Sequence, residues 1–275
     1  EDIPLPRNVH RYYFPGTTHG GGSGGFNYVA NPPATGSCVY PANPNPESDT
    51  ANALQDDFVD LIMNGAPMPE SRYPTLRDRQ LVPATQEAEG FPNIPGYPFQ
   101  GDQINFAELF DFGHRLNYHD QTGIVTIQPP IVKRVLPTYA VRVNRDGNEY
   151  DGVKSVLLHA PLATYTGWNT FSSGIYKGQQ CSLSASSWPF LETTAERLAS
   201  TDPRPSLEER YGTHAGYVCV VTKAANKAVS ERFLRATAAT ALISQAQAGN
   251  VLTDITPTAA DQELANRLCS EGDRW

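Results

Sequence analysis

The sequence predicts an α/β chain, with short strands and long loops up to about residue 190 and helices after it. Three features carry that reading. An aromatic run, NVHRYYF at residues 8–14, stops at Pro15-Gly16 as a short strand does. The text NRDGNE sits between apolar runs, and its Asp-Gly step is a hairpin signal because glycine accepts the positive φ of a tight turn. In PSLEERYG, Ser206 and Glu209 have the S-x-x-E spacing of a capping box, which starts a helix.

Taken in order, the strand at 8–14 leads into a loop of Gly, Asn, Pro and Ser from Gly20 to Pro46. Asp49 or Thr50 then caps a helix to about Asn64, with Leu54, Phe58, Leu61 and Ile62 at helical spacing and Gly65 as the stop. Prolines recur from Pro67 to Pro98, so no long regular element is predicted there. Strands follow at 123–127, 135–143 and 153–158, the last two joined by the NRDGNE turn into an added β-hairpin region. Helices are predicted at 192–200, from Ser206 to about 234, at 238–248 and at 257–270 with Pro257 in its first turn. In the long helix, Leu207, Tyr211, Val218, Val221, Ala225, Val229 and Phe233 form the buried stripe, and Gly212 and Gly216 allow close approach of a neighbouring backbone. The chain shows no repeat and no clean domain boundary, so 1–65, 66–190 and 191–275 are read as regions of one domain.

Composition narrows the function classes. With 21 Lys+Arg against 29 Asp+Glu, the net charge of -8 argues against a nucleic-acid surface, which needs clustered cations. No apolar run reaches the roughly 20 residues of a membrane span. The chain starts at Glu1 without methionine or an apolar leader, which suggests that an upstream portion has been removed. Cys38, Cys181, Cys219 and Cys269 lie far apart with no C-x-x-C pair, which speaks against a zinc site and leaves three pairings open if all are oxidised. With 23 prolines and 22 glycines, an exported protein, secreted or periplasmic, is expected; four free thiols are the alternative.

Four stretches are candidates for chemistry. His19 follows a strand and a tight turn and opens a glycine loop, as the last member of an α/β-hydrolase triad does; the glycines would let the backbone pass close to substrate and leave Nε2 free for a serine hydroxyl. Its plain alternative is a surface histidine. Ser23 completes G-x-S-x-G in GGSGG, yet a nucleophile elbow needs a strand before it and a helix after it, which the flanking glycines, Asn27, Pro32 and Pro33 deny. FGHRLNYHD gathers His114, His119 and Asp120, but that spacing splays the imidazoles over different helix faces, so polar loop residues are preferred to a metal site. Neither a metal nor another cofactor is implied. Tyr165 and Trp168, in APLATYTGWNT, would line an apolar or sugar-binding pocket, and His214 would face one from its helix; packing is the alternative for all of them.

Together, YYFPGTTHG, RDGNEYDGV, APLATYTGWN and SWPFLETTAERLASTDPRPSLEERYGTHAGYV resemble, in this order and over nearly the whole chain, the C-terminal half of a bacterial family of esterase-like α/β-hydrolase domain proteins. The resemblance implies that residues 8–19 are the last strand and histidine loop of a hydrolase sheet, and that His19 is the catalytic histidine. Members of that family are longer and usually exported, and their serine elbow lies upstream of the part matching Glu1 onwards. The nucleophile and the acidic member are therefore expected on a companion segment or chain, since Asp2, the only aspartate before His19, sits too near the strand. This chain would then be the histidine-bearing portion of a serine hydrolase for a small carboxylic ester, inactive alone. The rivals are a non-catalytic binding or structural subunit with Tyr165 and Trp168 as its recognition surface, and a metal-dependent hydrolase built on His114 and His119.

Overall fold

The computed structural model describes residues 2–34, 36–103, 107–117, 119, 123–181 and 183–270. Its first helix, α1 (Ser48–Asn64), starts and stops within two residues of the predicted bounds and ends at Gly65. Its apolar face is largely open: only Thr50 and Ala53 are buried, while Phe58, Val59, Ile62 and Met63 stand more than half exposed. Ion pairs Arg232–Asp57 and Arg235–Asp56, both at 2.5 Å, hold the polar side of α1 against the chain.

The β structure is smaller than predicted. Residues 8–14 form no strand; Tyr12 makes a single parallel bridge to Arg72. Tyr13 N–H donates to the Arg72 carbonyl at 2.9 Å and Arg72 N–H to the Arg11 carbonyl at 3.0 Å. Pro69 and Pro74 bracket the partner residues and lack the N–H groups a longer ladder needs. Side chains fix the segment instead: the Tyr12 hydroxyl donates to the Pro69 carbonyl at 2.6 Å, and its ring meets Phe233 edge-on. Nor is 123–127 a strand. Thr126 and Ile127 both donate to the distant Phe112 carbonyl, sharing one acceptor instead of forming a ladder, and Pro129-Pro130 follow. The run 135–143 is split by Pro137 into the end of β3 (Ile131–Val135) and β4 (Tyr139–Val141). NRDGNE makes the predicted turn, with Gly147 N–H on the Asn144 carbonyl and one bridge between Val143 and Glu149. Beyond it, residues 153–158 supply the helix α3 (Val156–His159), because Ser155 caps it by accepting from Leu158 N–H.

Three two-stranded antiparallel sheets are present among the described residues. β1 (Leu81–Pro83) pairs with β4, and β2 (Glu108–Asp111) with β3. The third sheet joins β5 (Ala163–Thr166) to β6 (Ser186–Pro189) and is buried along β5. A short helix, α2 (Gln86–Glu89), interrupts the proline-rich stretch where no element was predicted.

The C-terminal third is helical as predicted: α4 (Thr194–Ser200), α5 (Leu207–Tyr211), α6 (His214–Ser230), α7 (Ala236–Ala248) and α8 (Ala259–Ser270). The Ser206–Glu209 capping box forms, but the helix it starts does not run through. Gly212 takes φ +67, a conformation that glycine adopts without strain, and Thr213 caps a new helix. A side chain at Gly212 would also sit 2.2 Å from the Asp261 carbonyl oxygen, and one at Gly216 3.0 Å from Ala265, so α8 crosses closely where the glycines predicted it. Tyr217, Val221 and Ala225 of α6 are fully buried among α3, α5 and α7 residues, each large apolar side chain contributing about 1.5–3 kcal/mol. Disulfides Cys38–Cys181 and Cys219–Cys269 select one of the three possible pairings and pin the first half to β6 and α6 to α8. Among the described residues no helix is long and apolar enough to cross a membrane.

Candidate functional site

His19 lies on a loop fastened from below. Two buried asparagines do most of the fastening. Asn43 Nδ2 donates to the Gly16 carbonyl at 2.8 Å and to the Thr166 carbonyl of β5 at 3.0 Å. Asn45 Nδ2 donates to the carbonyls of Pro15 and Gly16 at 2.9 and 2.8 Å, and its Oδ1 accepts from Ser155 at 2.6 Å. The Asn45 carbonyl accepts from the Thr17 hydroxyl and from Gly22 N–H. Gly22 must be glycine, since a Cβ there would fall 2.2 Å from the Pro44 carbonyl carbon. Above this frame the His19 ring is exposed and makes no side-chain hydrogen bond among the described residues. The loop runs against Glu47, the residue that leads into α1.

Tyr165 and Trp168 come together at a different place, in a cavity of about 180 Å³, room for roughly six waters at ~30 Å³ each. His19 does not line it. Trp168 is stacked on Tyr97 at 5.0 Å and Phe91 lies beside it at 6.0 Å. Tyr165 is held rigid, its hydroxyl accepting from Leu162 N–H. Two carboxyls share the cavity wall, Glu89 at the end of α2 and Glu149 at the end of the NRDGNE turn. Glu149 Oε2 accepts from the Tyr13 hydroxyl at 2.8 Å and from Gly16 N–H at 2.7 Å, which ties the cavity to the base of the histidine loop. Burial raises the Glu149 carboxyl, and its two donors pull it back. Glu89 is 6% exposed, and its Oε1 has no hydrogen-bond partner. Burial first, then the charges of Glu149 and Asp102, push its pKa up to about 8, so Glu89 holds its proton at neutral pH.

The other sequence candidates are elsewhere. His114 and His119 are both exposed, and Asp120 lies outside the described residues. Among the described residues no three His, Cys, Asp or Glu side chains gather as a metal would need. His214 faces no pocket: its Nδ1 pairs with the Val251 carbonyl at 2.8 Å and its Nε2 with the Gln247 carbonyl at 3.2 Å, locking the start of α6 to the end of α7. Ser23 is exposed on a loop with neither strand before it nor helix after it. Sequence reading missed Glu89. Its signal was local, Thr85 before QEAE and Gly90 after it, which is a capped single turn.

Mixed helices and small antiparallel strands define an α/β protein. Residues 2–244 match the family described as alpha/beta hydrolase domain, and the chain belongs to that family. No curated protein and no solved structure matches.

Proposed function

We propose that this chain is the histidine-bearing portion of a serine hydrolase acting on a carboxylic ester, exported to an oxidising compartment, with the nucleophile supplied by a segment that docks over α1. The observation carrying this reading is the His19 ring, open and unpaired on a loop that Asn43 and Asn45 hold in place. A general base must be positioned before its hydroxyl arrives, and a braced loop with a free ring does that. His19 would take the serine proton as the hydroxyl attacks the ester carbonyl and return it to the leaving alcohol. The apolar face of α1 supports a companion: Phe58, Val59, Ile62 and Met63 form a helix surface left uncovered among the described residues, and such surfaces mark interaction sites. The two disulfides support export.

Hydrolysis of a p-nitrophenyl ester by the natural full-length protein tests the reading. His19→Ala is expected to lower kcat/KM on the order of 10³-fold or more, while His10→Ala, another exposed histidine of the same segment, leaves it unchanged. Equal rates for His19→Ala and wild type would remove His19 from the chemistry.

A further inference from the structure

The cavity of Tyr165 and Trp168 carries its own signature, independent of His19. Glu89 is more than nine-tenths buried, lines the cavity and leaves Oε1 without a partner. Gly101, on the same wall, packs against the Phe99 ring, and a Cβ there would stand 3.5 Å from that oxygen. Glu149 adds a second carboxyl, and no Lys, Arg or His lines the space. Phe91 and Trp168 supply aromatic surface. A buried acidic group is ordinarily paired within its own protein, and here the partner is missing from a space large enough to hold one.

We propose that this cavity binds a small organic ammonium ion, held between the Glu89 and Glu149 carboxyls and the Phe91 and Trp168 rings. Carboxylates supply the opposite charge, and aromatic faces attract a desolvated cation through their quadrupole. A metal ion is a poorer fit, because beside the two carboxyls the lining offers only neutral glutamine and threonine side chains with aromatic and aliphatic carbon, not a cage of carboxylate oxygens.

Binding has a pH signature. The titratable groups acting on Glu89 are Glu149 and Asp102, with the Tyr13 phenol beyond Glu149, and none is a cation. In the empty cavity Glu89 is protonated below about pH 8. An ammonium ion entering the cavity favours the ionised form, so the Glu89 proton leaves to solvent as the ligand arrives.

The test uses choline as probe and its uncharged carbon isostere, dimethylbutanol, as control, followed by tryptophan fluorescence and by calorimetry in buffers of different ionisation enthalpy. Choline is expected to bind in the millimolar range or tighter, at least ~10-fold better than the isostere. Its affinity is expected to rise by ~10-fold or more between about pH 6 and about pH 9, with a proton released. Glu89→Gln and Glu149→Gln are each expected to weaken choline by ~10-fold, and Glu89→Gln to abolish the pH dependence. Absence of choline binding, equal binding of the isostere, or unchanged affinity in both variants would overturn the proposal. The pH dependence is read on the wild-type protein, so the test stands even if a variant fails to fold.

Discussion

Two buried ionisable groups of this molecule are treated in opposite ways. Arg204, 1% exposed between β6 and α5, donates to both Asp202 oxygens, to the Thr164 hydroxyl at 2.8 Å and to the carbonyls of Trp188 and Pro189 at 2.9 and 3.1 Å. Its guanidinium also lies 5.1 Å from the centre of the Phe190 ring. Glu89, 6% exposed, has an oxygen that nothing answers. The first is a finished knot joining the β5–β6 sheet to the helices. The second lines the cavity of Tyr165 and Trp168. The difference teaches where to look: an ionisable group fully met inside the fold is scaffold, and one left unmet beside a cavity is set aside for a ligand or a partner.

The largest effect is expected at the knot. Arg204→Ala leaves Asp202 buried without its partner, and urea unfolding should show a loss of about 3–5 kcal/mol. Asp202→Ala should cost as much, and a double variant less than the sum, because the two residues act as a unit.

Glu89 should behave in the reverse sense. Its pKa rises from 4.5 to about 8 on folding, so the native state binds more protons within that window and stability falls as pH climbs through it. Glu89→Gln removes this titration. The variant is expected to match wild type near pH 4 and to exceed it by about 1–3 kcal/mol near pH 9. A variant less stable than wild type at high pH would mean that Glu89 is satisfied after all.

A smaller effect belongs to His159, at the end of α3. Burial, aided by Lys154, Lys227 and Arg72, pushes its pKa down from 6.5 to about 3. Here the unfolded chain binds the extra proton, so the contribution is present above pH 6.5 and is lost as pH falls through the window toward 3. His159→Gln should flatten that acid limb by about 1 kcal/mol, as thermal melts at descending pH will show.

Local signals were the legible part of the sequence. Gly65, the Ser206–Glu209 box, the NRDGNE turn and the two glycines facing α8 each rest on one residue's own conformational or steric limits. Elements whose state depends on distant partners were not legible. Residues 8–14 alternate like a strand but meet a proline-bracketed partner. VKSVLL has strand-forming composition, yet Ser155 caps a helix whose three apolar residues bury beside α6. The α1 stripe was legible as apolar, but periodicity shows a face and not what covers it, and Phe58 and Ile62 are exposed. Tyr165 and Trp168 were legible as pocket residues, whereas the burial of Glu89 comes from chain far away in sequence, at Gly101 and Glu149.

The most direct test of the central claim, that His19 serves a hydroxyl from outside residues 1–275, is fluorophosphonate labelling of the natural full-length protein followed by peptide mapping. The account predicts an adduct on a serine outside these residues, reduced to background by His19→Ala. An adduct on a serine within them, or labelling untouched by the substitution, would contradict it.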